Sequence, residues 1–279
     1  MADFGFWFDG QLVSGDRIQL AIADPALLYG ATAFTTLRVY GSLDHPLTQW
    51  IAHCERLRHT LQAFGWTLPD WLRTRTGAEQ MAIAYPVLRI TIFPDGREWI
   101  TGRSLPPDLE QRQQDGIAAW VIQSDVARSL PQHKTGNYLA PWLALQIART
   151  HHSQEAILVD AQGNWLETST GTLWGWHDGR WYTPPATGIL PGLVRSRLIS
   201  KFKCQNEEVV EQPWTPDLVQ RLTAIAYTNC VVEAIPIHTV LARTGTRCFE
   251  HPHPALDQLR RGLSHTPDPD SLSESVNIS

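Results

Sequence analysis

Lysine is almost missing from this chain: three of its 23 basic residues are lysines, at 134, 201 and 203, and the rest are arginines. Basic charge is therefore carried by guanidinium, which cannot lose its proton to become a nucleophile. A net positive balance is also missing. The formal charge of -5 argues against a nucleic-acid or anionic-membrane partner. No apolar run approaches the length of a membrane span, and residues 1–10 lack the basic and apolar pattern of a secretory leader, so a cytoplasmic protein is expected. Cys54, Cys204, Cys230 and Cys248 have no CxxC spacing and read as reduced thiols or small buried apolar residues. His151-His152 and His251-Pro252-His253 have no cysteine or carboxylate at ligand spacing, so no metal is expected and these are read as surface histidines.

What is present is an ordinary globular balance, with 43% hydrophobic and 18% charged residues in 279. That length suits one large or two medium units with a substantial core. Alternation around Asp9-Gly10 predicts an opening hairpin. Residues 34–40 read as a strand with Phe34, Thr36, Arg38 and Tyr40 on one face. Residues 46–64 carry Leu47, Trp50, Ile51, Cys54, Leu57, Leu61 and Phe64 at helical spacing, with Pro46 suited to the first turn and Gly65 to the cap. His53 and Arg56 fall off that stripe and read as surface residues. Residues 87–93 predict a strand, with a hairpin turn at Asp95-Gly96. The polar, Pro-containing stretch 105–114 is the linker candidate, which places a domain boundary near residue 115, giving 1–115 and 116–263. Residues 264–279 read as a disordered tail.

In the second half, a helix is predicted over residues 139–150, a buried strand over 156–160, a return at 165–170 and a hairpin around Asp178-Gly179. Gly188 to Gly192 feeds a helix beginning at Leu193, so that backbone N–H groups and the positive end of the helix dipole could meet an anion. Residues 225–237 predict two strands joined by a polar turn. Lys201 and Lys203 sit near the end of a helix, where cations favour the dipole. Lys134, between Pro131 and the helix from Leu139, has no such assignment. It is either a solvated loop lysine or an amine poised to attack a carbonyl.

A pyridoxal phosphate site needs an amine, an anion cradle, a partner for the pyridine nitrogen and a group near the phenolic oxygen. Lys134, Gly188 to Leu193, Glu167 and Tyr138 supply candidates in that order. With these residues in view, the chain resembles the class IV, fold type IV pyridoxal-phosphate aminotransferases and their relative aminodeoxychorismate lyase. The resemblance covers residues 6–237 and is carried by Leu28-Tyr29-Gly30, Phe34-Thr35-Thr36-Leu37-Arg38-Val39, His53-Cys54-Glu55-Arg56-Leu57, Lys134-Thr135-Gly136-Asn137-Tyr138, Trp165 to Trp174 and Gly188 to Arg195.

The resemblance implies a two-domain α/β (α+β) fold, with a small N-terminal and a larger C-terminal domain, pyridoxal 5'-phosphate as cofactor and a homodimer. It implies that Lys134 carries the cofactor and moves protons, that Glu167 faces the pyridine nitrogen, and that Arg56 grips the phosphate. It further implies that Leu193 and Val194 offer backbone amides, that Tyr138 stands near the phenolic oxygen, and that the Thr228-Asn229 turn supports the cradle. Three departures stand out: Pro25 where the family usually has arginine, Gly30-Ala31-Thr32 where it has Gly-Asp-Gly, and Val194 where many members have threonine.

Phe34-Thr35-Thr36 and Thr228-Asn229 are similar to the lyase pattern. The expected activity is therefore conversion of 4-amino-4-deoxychorismate to 4-aminobenzoate and pyruvate for folate synthesis, with Thr36 and Arg38 orienting carboxylates or assisting the leaving group. The alternative is transamination of branched-chain or D-amino acids. A member that binds cofactor without catalysis is a third reading, motivated by Pro25 and Ala31.

Overall fold

The computed structural model describes residues 5–123 and 129–264. Strands β1 (Phe6–Phe8) and β2 (Gln11–Val13) form the expected hairpin, with Asp9 and Gly10 both at positive φ (44° and 83°). Such a two-residue turn matches the twist of the strands it joins. Helix α1 (Pro25–Tyr29) starts where the side chain of Asp24 accepts the Ala26 N–H at 2.8 Å. Then come β3 (Ala33–Arg38), α2 (Trp50–Ala63), α3 (Trp71–Ala82), β4 (Val87–Ile92) and β5 (Glu98–Arg103). The strands form one antiparallel sheet ordered β2-β1-β5-β4-β3.

Alternation along these strands separates two faces. Leu37, Leu88, Ile90 and Ile100 pack against Leu57 and Leu61 of α2 and Ala78 and Met81 of α3. The other face carries Phe34 and Thr36 of β3, Arg89 of β4 and Arg103 of β5.

Helix α2 begins at Trp50, not at Pro46. Thr48, nearly fully buried, donates to Ser42 O at 2.8 Å and accepts from Tyr40 N at 3.1 Å. These bonds hold residues 42–48 as a turn and keep Pro46 out of the helix. The far end is as expected: Gly65 has φ 66°, its N–H reaches Gln62 O, and the Trp66 N–H reaches Leu61 O, the paired bonds of a Schellman cap.

The remaining chain contains α4 (Leu109–Asp115), β6 (Ile117–Val121), α5 (Leu139–Thr150), β7 (Glu155–Val159), β8 (Trp165–Thr168), β9 (Thr172–His177), β10 (Arg180–Thr183), α6 (Leu193–Cys204), β11 (Val209–Glu211), α7 (Pro216–Arg221), β12 (Ala224–Asn229), β13 (Glu233–Ala242), β14 (Gly245–Cys248) and α8 (Pro254–Ser264). A second, mixed sheet runs β11-β10-β9-β12-β13-β6-β7-β8, with β14 paired to β13. The pairs β13/β6, β6/β7 and β10/β11 are parallel. Strand β7, parallel to β6 on one side and antiparallel to β8 on the other, is buried along its whole length, as its apolar run implies.

The linker expected at 105–114 contains a helix. Leu109 is buried in the core of the second sheet, and Arg112 pairs with Asp108 at 2.7 Å one turn away, so α4 is packed. Helices α3, α7 and α8 were not anticipated. In α8 the buried Leu256, Leu259 and Leu263 meet Leu198 and Phe202 of α6, a stripe overlooked beside the polar residues that follow it. The expected tail lies outside the described residues except for Ser264, which closes α8. Among the described residues no helix is long and apolar enough to cross a membrane.

Candidate active site

A cavity of about 370 Å³ is lined by the outer face of the first sheet, Tyr138 just before α5 with Leu145 and Arg149 within it, the β8–β9 turn, the start of α6 and the β12–β13 turn. Lys134 is fixed there through its backbone. The Phe34 N–H donates to Lys134 O at 2.8 Å, the Gly136 N–H donates to Thr32 O at 2.7 Å, and Ala33 bridges Thr135. The lysine segment thus docks on the start of β3. A Cβ at Gly136 would lie 2.2 Å from Thr32 Oγ1 and 2.7 Å from Gly30 O, so this approach requires glycine.

The Lys134 side chain is half-buried, with Nζ 4.7 Å from the Phe34 ring centroid and 5.2 Å from that of Tyr138. The Tyr138 hydroxyl donates to Ser169 O at 2.6 Å. The solvated-loop reading of Lys134 does not fit this setting.

Glu167, on β8, is buried and accepts the Leu190 N–H at 3.4 Å. Arg56, on α2, lines the cavity and donates from Nη2 to Thr35 Oγ1 at 2.7 Å. Thr35 Oγ1 lies 2.6 Å from His53 Nδ1. His53 was expected at the surface but is buried, and burial first, then the charges of Arg56 and Lys134, hold its pKa well below the ordinary histidine value. Read as a helical wheel, α2 has one apolar stripe, yet His53 and Arg56 beside that stripe both meet the Thr35 hydroxyl on the helix-facing side of β3.

At the other end of the cavity Gly192 precedes α6, and a Cβ there would lie 2.7 Å from Thr172 Oγ1. Leu193, Val194, Thr228 and Asn229 all line this end. The Thr228 hydroxyl accepts the Trp174 indole N–H at 3.1 Å, and Asn229 Oδ1 accepts the N–H groups of Val231 and Val232 at 2.9 and 3.0 Å. Their side chains therefore shape the turn. Cys230, not singled out in the sequence, also lines the cavity, and burial pushes its thiol pKa up.

Thr36 lines the cavity, whereas Arg38 is not part of the lining. Its guanidinium pairs with Glu233 at 3.1 Å, and the Tyr40 hydroxyl donates to the same carboxylate at 2.6 Å. Arg89, Arg103 and Glu155 are further lining residues that sequence reasoning missed. Glu155 is buried, accepts hydrogen bonds from the hydroxyls of Ser169 and Thr170, and has its pKa raised chiefly by burial. Arginines on alternating strands and a glutamate opening a buried strand carry no local signal that they share one cavity.

The site is thus a half-buried amine, a buried carboxylate and an arginine around one cavity that ends at a glycine-led helix N-terminus. This donor set fits a phosphorylated pyridine aldehyde: Lys134 for the aldehyde, Glu167 for a ring nitrogen, Arg56 and the α6 amides for a phosphate. Residues 32–240 match the amino-transferase class IV family, and the chain belongs to that family.

The branched-chain-amino-acid aminotransferase of Salmonella typhimurium is 25% identical over 86% of this chain and 85% of its own length. Among solved structures, the branched-chain aminotransferase of Thermoproteus uzoniensis with norvaline superposes with a TM-score of 0.78 at 21% identity, covering 92% of each chain. The PLP-bound form of a hypothetical aminotransferase from Mycobacterium tuberculosis gives 0.77 at 18% identity, covering 91% of this chain and 95% of its own. The fold is that of the class IV aminotransferases, a pyridoxal-phosphate-dependent family.

Proposed function

We propose that this chain is a pyridoxal-phosphate-dependent aminotransferase in which Lys134 carries the cofactor and moves the substrate proton. The observation that carries this reading is the placement of Lys134, Glu167 and Arg56 around one cavity. Bound there, the cofactor supplies an aldehyde for amines and an electron-poor ring that stabilises negative charge on the reacting carbon. Arg56 and the backbone amides at Leu193 and Val194 hold the phosphate. Glu167 would face the ring nitrogen and favour its protonated form, and Tyr138, whose hydroxyl donates to Ser169 O at 2.6 Å, would stand near the phenolic oxygen. Lys134 would hold the cofactor aldehyde and, as a free amine, would accept and return the substrate proton.

The sequence likeness to branched-chain-amino-acid aminotransferases supports transamination of branched-chain or related amino acids, with D-amino acids as the other substrate series. This displaces the lyase from first place. The second reading, 4-amino-4-deoxychorismate lyase, keeps one specific support: Thr36 of Phe34-Thr35-Thr36 faces the cavity, where it could orient a carboxylate or assist a leaving group. Arg38, engaged by Glu233, gives that reading little help.

The division into units 1–115 and 116–263 is part of the proposal and is supported by the change of sheet between Arg103 and Ile117. A homodimer is supported by apolar side chains left exposed on two helices, Leu27, Leu28 and Tyr29 on α1 and Leu139, Trp142 and Ile147 on α5.

The test is to load purified protein with pyridoxal phosphate and supply an amino acid with or without a keto acid. Keto-acid-dependent transfer is expected. Release of 4-aminobenzoate and pyruvate from 4-amino-4-deoxychorismate without an acceptor would move the chain to the lyase. Lys134→Ala should abolish either reaction and the visible absorption of protein-bound cofactor; full turnover by that variant would overturn the assignment.

A further inference from the structure

Phe34, Thr36 and Arg38 alternate along one face of β3; the first two line the cavity, and Arg38 lies one step beyond it. Arg38 Nη1 meets Glu233 Oε1 at 3.1 Å, and the Tyr40 hydroxyl donates to the same oxygen at 2.6 Å. The Arg38 guanidinium also lies 4.6 Å from the Tyr40 ring centroid. Tyr40 is itself held: its backbone N–H donates to Thr48 Oγ1 at 3.1 Å, and its ring stacks on His45 with centroids 5.7 Å apart. Two groups at the end of β3 thus converge on one carboxylate of the second sheet.

Glu233 closes the turn between β12 and β13. It is the register partner of Asn229, and inside the turn Asn229 Oδ1 accepts the N–H groups of Val231 and Val232. Gln113 of α4 donates to Val232 O at 3.0 Å. Residues 228–232 all line the cavity, so the turn is cavity wall along its length, and Glu233 ties that wall to the first sheet. The φ of Glu233 is 61°, a left-handed value that glycine adopts freely and a side chain resists. A residue kept in such a conformation points to a use for its side chain, and the use in view is the pair of bonds to Arg38 and Tyr40. The ion pair is largely withdrawn from water, with side-chain exposures of 23% and 31%, so salt screens it less than a surface pair. The Glu233 charge also acts on α6, where burial lowers the pKa of Arg197 and the charges of Tyr40 and Glu233 oppose that shift.

We propose that Glu233 is a positioning residue for the cofactor phosphate: drawn to Arg38 and Tyr40, it clasps the β12–β13 turn to the end of β3 and so fixes Thr228 and Asn229 at the phosphate end of the cavity. The inference rests on the reading of this end as the phosphate cradle. Val194 brings no hydroxyl there, so more of the hold falls to Arg56 and to backbone N–H groups. Such donors act only within about 0.5 Å of their productive placement, which makes the seating of the turn matter.

The experiment is absorbance titration of the cofactor-free full chain with pyridoxal phosphate and with pyridoxal, which lacks the phosphate, in wild type, Glu233→Gly, Glu233→Gln and Arg38→Met. Glycine accepts the left-handed φ, and Arg38→Met leaves the turn's own sequence untouched, so these two variants remove the clasp from opposite ends. Each should bind pyridoxal phosphate at least ~10-fold more weakly, the range of a hydrogen bond to a charged group. Each should bind pyridoxal within ~2-fold of wild type, the scatter of independent sites. Glu233→Gln keeps an acceptor without the charge and should fall between. Arg38→Met combined with Glu233→Gly should lose no more than either alone, because both remove one interaction. Equal losses for the two aldehydes, or unchanged pyridoxal phosphate binding in Glu233→Gly and Arg38→Met, would overturn the clasp. Failure of the cofactor reading looks different: wild-type protein that binds pyridoxal as tightly as its phosphate, or a visible band that survives Lys134→Ala, sinks that reading and the clasp with it.

Discussion

The hydroxyl of Thr35 lies 2.6 Å from Nδ1 of His53, deep between strand β3 and helix α2. The same oxygen accepts a hydrogen bond from Arg56 Nη2 at 2.7 Å. Because His53 is held neutral, its Nδ1 can act as an acceptor, and the Thr35 proton goes to it. Arg56 is therefore steered by a hydroxyl whose own direction is set by a buried histidine.

Thr35→Val keeps the shape of the side chain and removes both bonds. Hydrogen bonds to charged groups contribute about 1.5–3 kcal/mol and neutral ones about 1. The variant is expected to lose about 2 kcal/mol of stability in urea unfolding and to bind pyridoxal phosphate about 10-fold more weakly in a spectroscopic titration. Wild-type cofactor affinity in this variant would show that Arg56 is positioned by other contacts.

His53 also sets a pH dependence. Its folded pKa lies well below the ordinary value, so as pH falls through about 6.5 the unfolded chain gains a proton that the folded chain refuses. The unfolded state then binds more protons, and stability falls with falling pH. Full stability is present above about pH 6.5, and the loss approaches ~1.4 kcal/mol per pH unit below it until the folded pKa is reached. His133 shifts in the same direction through burial and the nearby His59. Urea midpoints measured across this range should drop on acidification in the wild type and less steeply in His53→Gln. Parallel curves would show that His53 does not control the slope.

Lys134 could be read from the sequence because lysine is so scarce, and Glu167, Tyr138 and the Gly188 to Leu193 loop because the site's parts come in a fixed order. All of them line the cavity except Gly188, Ile189 and Pro191 of the loop. Long, regular elements were equally legible: α5 spans residues 139–150 as its periodicity implies. Contacts across the chain were not. The burial of His53 depends on a strand eighteen residues earlier, and Arg38 is engaged by Glu233 from the second sheet. Neither partner leaves a trace in local periodicity. The start of α2 was misplaced for a similar reason, since Thr48 bonds to Ser42 and Tyr40 while Pro46 alone looks like a helix start.

Gly136 shows how closely the lysine segment is fitted to a part of the chain that departs from the family pattern. A Cβ added there would stand 2.2 Å from Thr32 Oγ1 and 2.7 Å from Gly30 O. The threonine can rotate away, but the carbonyl belongs to the backbone that caps α1. Gly136→Ala must therefore push the Lys134 segment off β3 and stretch the bonds from Gly136 N to Thr32 O and from Phe34 N to Lys134 O. Overpacking of this kind costs about 1–3 kcal/mol, and because Nζ rides on that backbone, the damage should appear at the site before it appears in the fold. The expected result is a Tm lower by several degrees and, at a temperature well below it, slower formation of the visible band when pyridoxal phosphate is added. Thr32→Ala in the same chain removes only the nearer of the two clashes, so it should restore part of the stability and less of the rate. Full restoration of both by Thr32→Ala would show that the Gly30 carbonyl yields freely and that the side-chain clash alone dictates glycine at 136.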